Sequence, residues 1–274
     1  MNGRRLHPVL RTVVIALVTI VVVLAIWELV VLPAPPRIAK GPIDVWNHLF
    51  VYNPAAKVPS QTAAGIRGIL FGLLGTTLAD AGLGFVVGMA IAFVLAVAFS
   101  ISRTVEAGVM PFALFLRTVP LVALAPVIVL ITGSGTATSV AVIAAIVVLF
   151  PALASIMFGL AQASPQSLDL VSVYGGGRWT QLTRVTLPSA VPSLFAAARV
   201  SVPGAVTGAL LAEWLSTGQG IGGYLVKYTS QAKWVDLWSC VALVTLVTIV
   251  MYNLVAIAER SVLSAMQMSQ ASDR

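Results

Sequence analysis

Charge is what this sequence has least of. Asp, Glu, Lys and Arg make up 9% of its 274 residues, where a soluble domain carries about 25%. Apolar residues reach 59%. Too few charged side chains remain to keep a folded surface in water, so the chain reads as an integral membrane protein. Cysteine occurs once, at Cys240, which excludes an intrachain disulfide, a CxxC redox pair and a thiolate metal cage. The two histidines, His7 and His48, flank the first apolar run and are expected near opposite membrane faces, so they share no metal. No P-loop, HExxH or GxSxG motif occurs and no catalytic cluster is visible; the chain is not expected to be an enzyme. The net charge of +7 forms no basic stripe. That argues against nucleic acid and for anionic lipid and cytoplasmic retention of basic loops.

What the chain does have is long apolar runs. Six spans are expected, at about 12–32, 75–99, 111–132, 140–159, 189–214 and 237–258, lengths that suit a bilayer core. The first run is followed by Pro-Ala-Pro-Pro instead of a small-residue cleavage site, so it reads as an uncleaved span. The preceding arm carries Arg4, Arg5 and Arg11, which places the amino terminus inside and, with six spans, both termini in the cytoplasm. Residues 33–67 form the one long polar segment, expected outside with a short helix near 45–51, and Ser102 to Glu106 is expected to be a cytoplasmic turn. The expected fold class is all-α integral membrane, one transmembrane domain over residues 1–274.

Several residues within these runs stand out. Pro120, Pro126, Pro151, Pro192 and Pro203 remove backbone donors that lipid cannot replace, and their clustering in the third to fifth spans suggests helices bent around a pathway. Gly84 and Gly88, and Gly204 and Gly208, are small-xxx-small pairs that let backbones approach closely, expected to pack inside the subunit, with a dimer face the other reading for one of them. Asp80, Arg117, Arg199 and Glu213 lie within or at the ends of spans. A charge at membrane depth costs about 2.5–3.5 kcal/mol on insertion scales, so such residues face protein, water or an interface. Arg117, Pro120, Arg199 and Glu213 are candidates to line a translocation path; for Arg199 a structural ion pair is the other reading. Gly218, Gly220 and Gly223 match GxGxxG, but they follow a membrane-length run, so a flexible loop at a membrane face is expected and not a dinucleotide site.

Residues Ser164 to Pro188 are the most informative segment. Ser164 then Pro165 suits a helix start, an N-cap hydroxyl followed by proline at the first helical position. Leu170, Val173 and Tyr174 are spaced i, i+3, i+4 and form one apolar stripe. Gly175-Gly176-Gly177 stops that helix. Arg178 and Trp179 begin a second short helix, expected to end at Leu187-Pro188 where the membrane begins. An exposed apolar stripe on a helix under the bilayer suits docking to a cytoplasmic partner and, equally, an amphipathic connector resting on lipid.

This stretch resembles the signature cytoplasmic loop of ABC importer permeases: Glu-Ala-Ala, three residues, Gly, nine residues, Ile-x-Leu-Pro. Here it stands as Asp169-Leu170-Val171, then Gly175, then Val185-Thr186-Leu187-Pro188, with both spacings kept; Asp replaces Glu and Leu-Val replaces Ala-Ala. Leu116-Arg117-Thr118-Val119-Pro120, Ala123-Leu124-Ala125-Pro126, Phe150-Pro151 with Gly159-Leu160, and Ala212-Glu213-Trp214 with Gly220-Ile221-Gly222 are similar to the nitrate/sulfonate/taurine-type permeases. Asp80 stands where that group suggests a basic residue.

The resemblance implies a type I importer arrangement, a homodimer of six-helix subunits in a bacterial inner membrane. It implies that residues 164–188 couple to a separate cytoplasmic ATPase that holds ATP and Mg, with no cofactor on this chain. It also implies an external solute-binding protein that delivers the substrate. The substrate would be a small anion such as nitrate, a sulfonate or taurine, or a small heterocycle such as a pyrimidine precursor. Quaternary-amine importers have a similar loop. The rival class is a proton-coupled secondary transporter titrating Asp80 or Glu213, for which no inverted internal repeat is visible.

Overall fold

The apolar runs fold as helices because lipid leaves a backbone no other partner for its N–H and C=O groups. A computed structural model of the chain describes residues 8–51 and 58–266. Arg4, Arg5, His7 and Lys57 lie outside the described residues. In chain order the helices are α1 (Pro8–Val31), α2 (Pro42–Phe50), α3 (Ala63–Ile101), α4 (Arg103–Thr118), α5 (Leu121–Thr132), α6 (Ala137–Leu160), α7 (Pro165–Val173), α8 (Arg178–Gln181), α9 (Leu187–Ala212), α10 (Gly220–Ser230) and α11 (Trp234–Ala265). A π turn joins α8 to α9 at Leu182–Thr186, and a second extends α9 through Glu213–Thr217. Among the described residues there is no strand. Four helical stretches are long and apolar enough to cross a membrane: Ala63–Ile101, Ala137–Leu160, Arg178–Thr217 and Trp234–Ala265.

The helices differ from the expected spans in instructive ways. The second run is a helix of 39 residues, about 58 Å long at 1.5 Å per residue and far longer than a bilayer core of about 30 Å. Arg67 and the glycines at 65, 68, 72 and 75 disguised its first turns. The turn expected over Ser102 to Glu106 shrinks to Ser102 alone, whose hydroxyl accepts from Val105 N at 3.4 Å as α4 begins. Pro120 separates α4 from α5, while Pro126, Pro151, Pro192 and Pro203 stay inside their helices.

The second helix of the loop does not end at Leu187-Pro188, as expected, but runs on into α9. Proline lacks an N–H and its ring crowds the carbonyl four residues back. The wider π turn relieves that crowding: Leu187 N bonds to Leu182 O, one residue beyond the α-helical partner. The glycine motif at 218–223 is likewise no flexible loop. Gly218 closes the second π turn, α10 starts at Gly220, and residues 220–223 are buried.

The described residues fall in two compact units. In the unit of residues 71–226 and 243–274, α6 forms the core: Val140, Ile143, Ala144, Val148 and Ala152 are fully buried. Both glycine pairs pack on it inside the subunit. A Cβ at Gly88 would come 2.7 Å from Ala145 O, and one at Gly208 would come 2.7 Å from Ala144 Cα. In the unit of residues 1–70 and 227–242, aromatic and polar contacts join the helices. Trp27 stacks on Trp238 at 5.8 Å, Trp238 Nε1 donates to Ile38 O at 2.9 Å, and His48 Nε2 lies 3.0 Å from Asp236 Oδ1. α2 covers Pro42–Phe50, close to the helix expected at 45–51.

Candidate functional site

The loop between α6 and α9 is built by short-range rules. Ser164 occupies the N-cap position and Pro165 the first helical one, but the Ser164 hydroxyl donates to Gln166 Oε1 at 2.7 Å instead of capping a backbone N–H. At the other end, Gly175 N donates to Ser172 O at 2.9 Å and Gly176 N to Val171 O at 2.8 Å. That paired closure demands a left-handed residue at its centre, and Gly175 has φ +80°. The stripe on α7 points away from the protein: Leu170 is 58% exposed, Val173 and Tyr174 each 84%. Asp169 is exposed beside it, and Val171 is half-buried.

The opposite side of α7 is tied to α8. Gln181 Nε2 donates to Leu168 O at 3.2 Å and to Ser172 Oγ at 2.7 Å. Arg178 Nη1 donates to Ile101 O at 3.2 Å, capping the end of α3. Val185 lies in the π turn, and Leu187 and Pro188 open α9 half-buried. The loop is thus a helical hairpin with one fastened face and one bare apolar face.

A second polar site sits at the far end of the same helical run. Glu213 is fully buried. Its Oε2 accepts from Thr77 Oγ1 at 3.0 Å and from Gly222 N at 2.8 Å, and Thr77 Oγ1 in turn accepts from Ile221 N at 2.9 Å. Gly220, at φ +58°, lies so close that any Cβ there would overlap the Glu213 carboxylate. Beside this node Ser139 Oγ and Ser216 Oγ are 3.2 Å apart. The carboxylate thus fastens the start of α10 to α3. Arg199 Nη1 lies 3.1 Å from Glu259 Oε2 and its guanidinium sits 5.6 Å from the Tyr252 ring centre, which is the ion-pair reading for that residue. Pro120 sits exposed at the break between α4 and α5; the Arg117 side chain lies outside the described residues. Among the described residues no three His, Cys, Asp or Glu side chains gather as a metal site.

Comparison with known proteins decides what this arrangement belongs to. Residues 84–264 match the family described as "Binding-protein-dependent transport system inner membrane component". The chain belongs to this family. A probable ABC transporter permease protein of Haemophilus influenzae is 31% identical over 230 residues, 83% of this chain and 87% of the relative. The formylaminopyrimidine transport permease protein ThiX of Halalkalibacterium halodurans is 27% identical over 216 residues, 76% of this chain and 78% of ThiX. The fold is shared with a chain in the crystal structure of an amino acid ABC transporter with histidines, at a TM-score of 0.59 and 14% identity, over 75% of this chain and 100% of that one. The chain is a permease subunit of an ABC importer.

Within this permease the sequence pointed to one partner of each polar contact and missed the other. Thr77, Gln181 and Glu259 carry no motif. Position in the folded chain alone reveals Thr77 and Gln181, opposite Glu213 and α7. Glu259, in a terminal stretch otherwise poor in acid, was the one partner with a usable signal: a lone carboxylate near the end of an apolar run facing a lone arginine in another.

Proposed function

We propose that this permease crosses the membrane six times as one domain, through α1, α3, the α4–α5 pair, α6, α9 and α11. Both termini and the loop Ser164–Pro188 then lie in the cytoplasm. α1 is 24 residues long, about 36 Å, and α4 with α5 supplies a crossing interrupted at Pro120, both of which suit that count. Two copies would form the pore, an external binding protein would deliver substrate, and a separate ATPase would hold ATP and Mg. The path would run along the third to fifth spans, with Arg117 and Pro120 beside it and Arg199 and Glu213 holding its walls in place. The resemblance to ThiX supports a small heterocycle of the formylaminopyrimidine kind as cargo, ahead of a sulfonate or nitrate-like anion.

The observation that carries the coupling role is the bare stripe of Leu170, Val173 and Tyr174 on a helix whose other face is fastened. Three large apolar side chains held rigidly in water form a docking face, and docking onto a preorganised helix avoids the entropy of ordering it. Gly175→Leu puts a side chain at φ +80° and is expected to misaim α7. Asp169→Lys reverses the charge beside the stripe. Both variants are expected to insert as wild type, yet to lose retention of the ATPase or binding-protein-stimulated ATP hydrolysis in nanodiscs. Wild-type retention and hydrolysis in both would mean that the loop is only a connector.

A further inference from the structure

α2 has two unlike faces. Toward the protein, Val45 is buried, His48 Nε2 meets Asp236 Oδ1 at 3.0 Å, and Leu49 O accepts from Arg67 Nη1. On the other side Ile43, Trp46 and Phe50, spaced i, i+3 and i+7, are 62%, 61% and 52% exposed. Trp46 and Phe50 touch, with ring centres 4.4 Å apart, and the Arg67 guanidinium lies 5.5 Å from the Phe50 ring centre. The stripe itself carries no charge.

The contacts that hold α2 also fix its level. Asp236 is in the first turn of α11, Arg67 is in the second turn of α3, and the Trp27–Trp238 stack joins the last turns of α1 to the first turns of α11. Trp238 Nε1 fastens the chain just before α2 through Ile38 O. α2 therefore sits beside the end of α1 and the start of α11, and the ends of such apolar helices are where a membrane protein meets headgroups. Tryptophan is enriched at that depth, and arginine there reaches outward from an apolar stem. Leu29, Val30 and Leu32, at and just past the end of α1, are exposed as well.

We propose that α2 is an interfacial helix, with Ile43, Trp46 and Phe50 inserted at the boundary between headgroups and acyl chains and with Arg67 at the phosphate level. A soluble binding protein leaves after each delivery and would return the stripe to water each time; a bilayer covers it permanently. Through His48, Leu49 and Trp238, α2 would then hold the ends of α11 and α3 at a fixed depth. This role does not depend on the ATPase or on which membrane face the stripe occupies.

The test is nitroxide labelling at Ile43→Cys, Trp46→Cys, Phe50→Cys and Asn47→Cys, one at a time, in the full transporter in nanodiscs. Cys240 is fully buried and is left in place. Collision with dissolved oxygen against a water-soluble nickel chelate is expected to place labels at 43, 46 and 50 about 5–10 Å into the bilayer boundary. The label at 47, on the edge of the stripe, should lie shallower. Nickel collisions at 43 and 50 equal to those of a label at Ser172 would overturn the proposal, as would strong spin–spin broadening at these positions, the sign of a second copy on the stripe. Nickel access that disappears only when the binding protein is added would also overturn it, because the occupant would then be that protein. The outer positions 43 and 50 keep the test decisive if Trp46→Cys does not assemble.

Discussion

Glu213 places one carboxylate oxygen between two donors from different parts of the chain. Removing that acceptor strands the Thr77 hydroxyl and the Gly222 N–H in a buried setting, at about 1–3 kcal/mol each. Glu213→Ala is therefore expected to lower the melting temperature of the purified permease by about 5 °C or more, at roughly 2–4 °C per kcal/mol. Glu213→Gln keeps an oxygen in the same place and should stay within about 2 °C of wild type. Thermal unfolding followed by tryptophan fluorescence in detergent separates the two. Equal losses would mean that the node requires the charge and not the acceptor. The residue was legible in sequence only as an anomaly, an acid in an apolar run. What it does was not legible, because Thr77 stands 136 positions away and nothing local links them.

At the scale of elements, local chemistry was readable and its exceptions were not. The start of α7 at Ser164–Pro165 and its stop at Gly175 follow from residues within a few positions of each other. So does the packing of Gly84, Gly88, Gly204 and Gly208, since a missing side chain predicts a close neighbour wherever that neighbour comes from. Pro188 misled because the rule for proline assumes α-helical spacing, and a π turn suspends it. The tie between α7 and α8 was invisible, since glutamine 181 has no special pattern around it. It makes a testable claim nonetheless. Gln181→Ala removes two hydrogen bonds but leaves the Gly175 turn intact, so α7 should stay helical while losing its fixed attitude. Retention of the ATPase is expected to weaken by roughly tenfold, the equivalent of one to two net hydrogen bonds, with normal membrane insertion. Undiminished retention, measured by titrating the ATPase onto the permease in nanodiscs, would show that the turn alone aims α7.

Across the whole molecule, composition announced a membrane protein, and four of the six expected runs became helices that meet a strict length and hydropathy test. The other two expected runs fall on α1 and on the α4–α5 pair, which Pro120 divides into two short helices. Sidedness has its own check. Ser172→Cys and a carboxy-terminal tag should be reached by impermeant reagents only from inside, in inverted vesicles and not in intact cells. Labelling of Ser172→Cys in intact cells would reverse the orientation and remove the coupling argument with it. Between that loop and the Glu213 node runs a single helical stretch of 40 residues, Arg178–Thr217. Its first π turn, Leu182–Thr186, holds one residue more than an α turn would. Without that surplus, the 100° that each α-helical residue adds would leave α8 and α9 out of phase. Either the stripe of α7 would face another way, or Gly204 and Gly208 would swing off α6. One supernumerary residue ahead of Pro188 sets the angular registration between the bare stripe of α7 and the seam that holds this chain together.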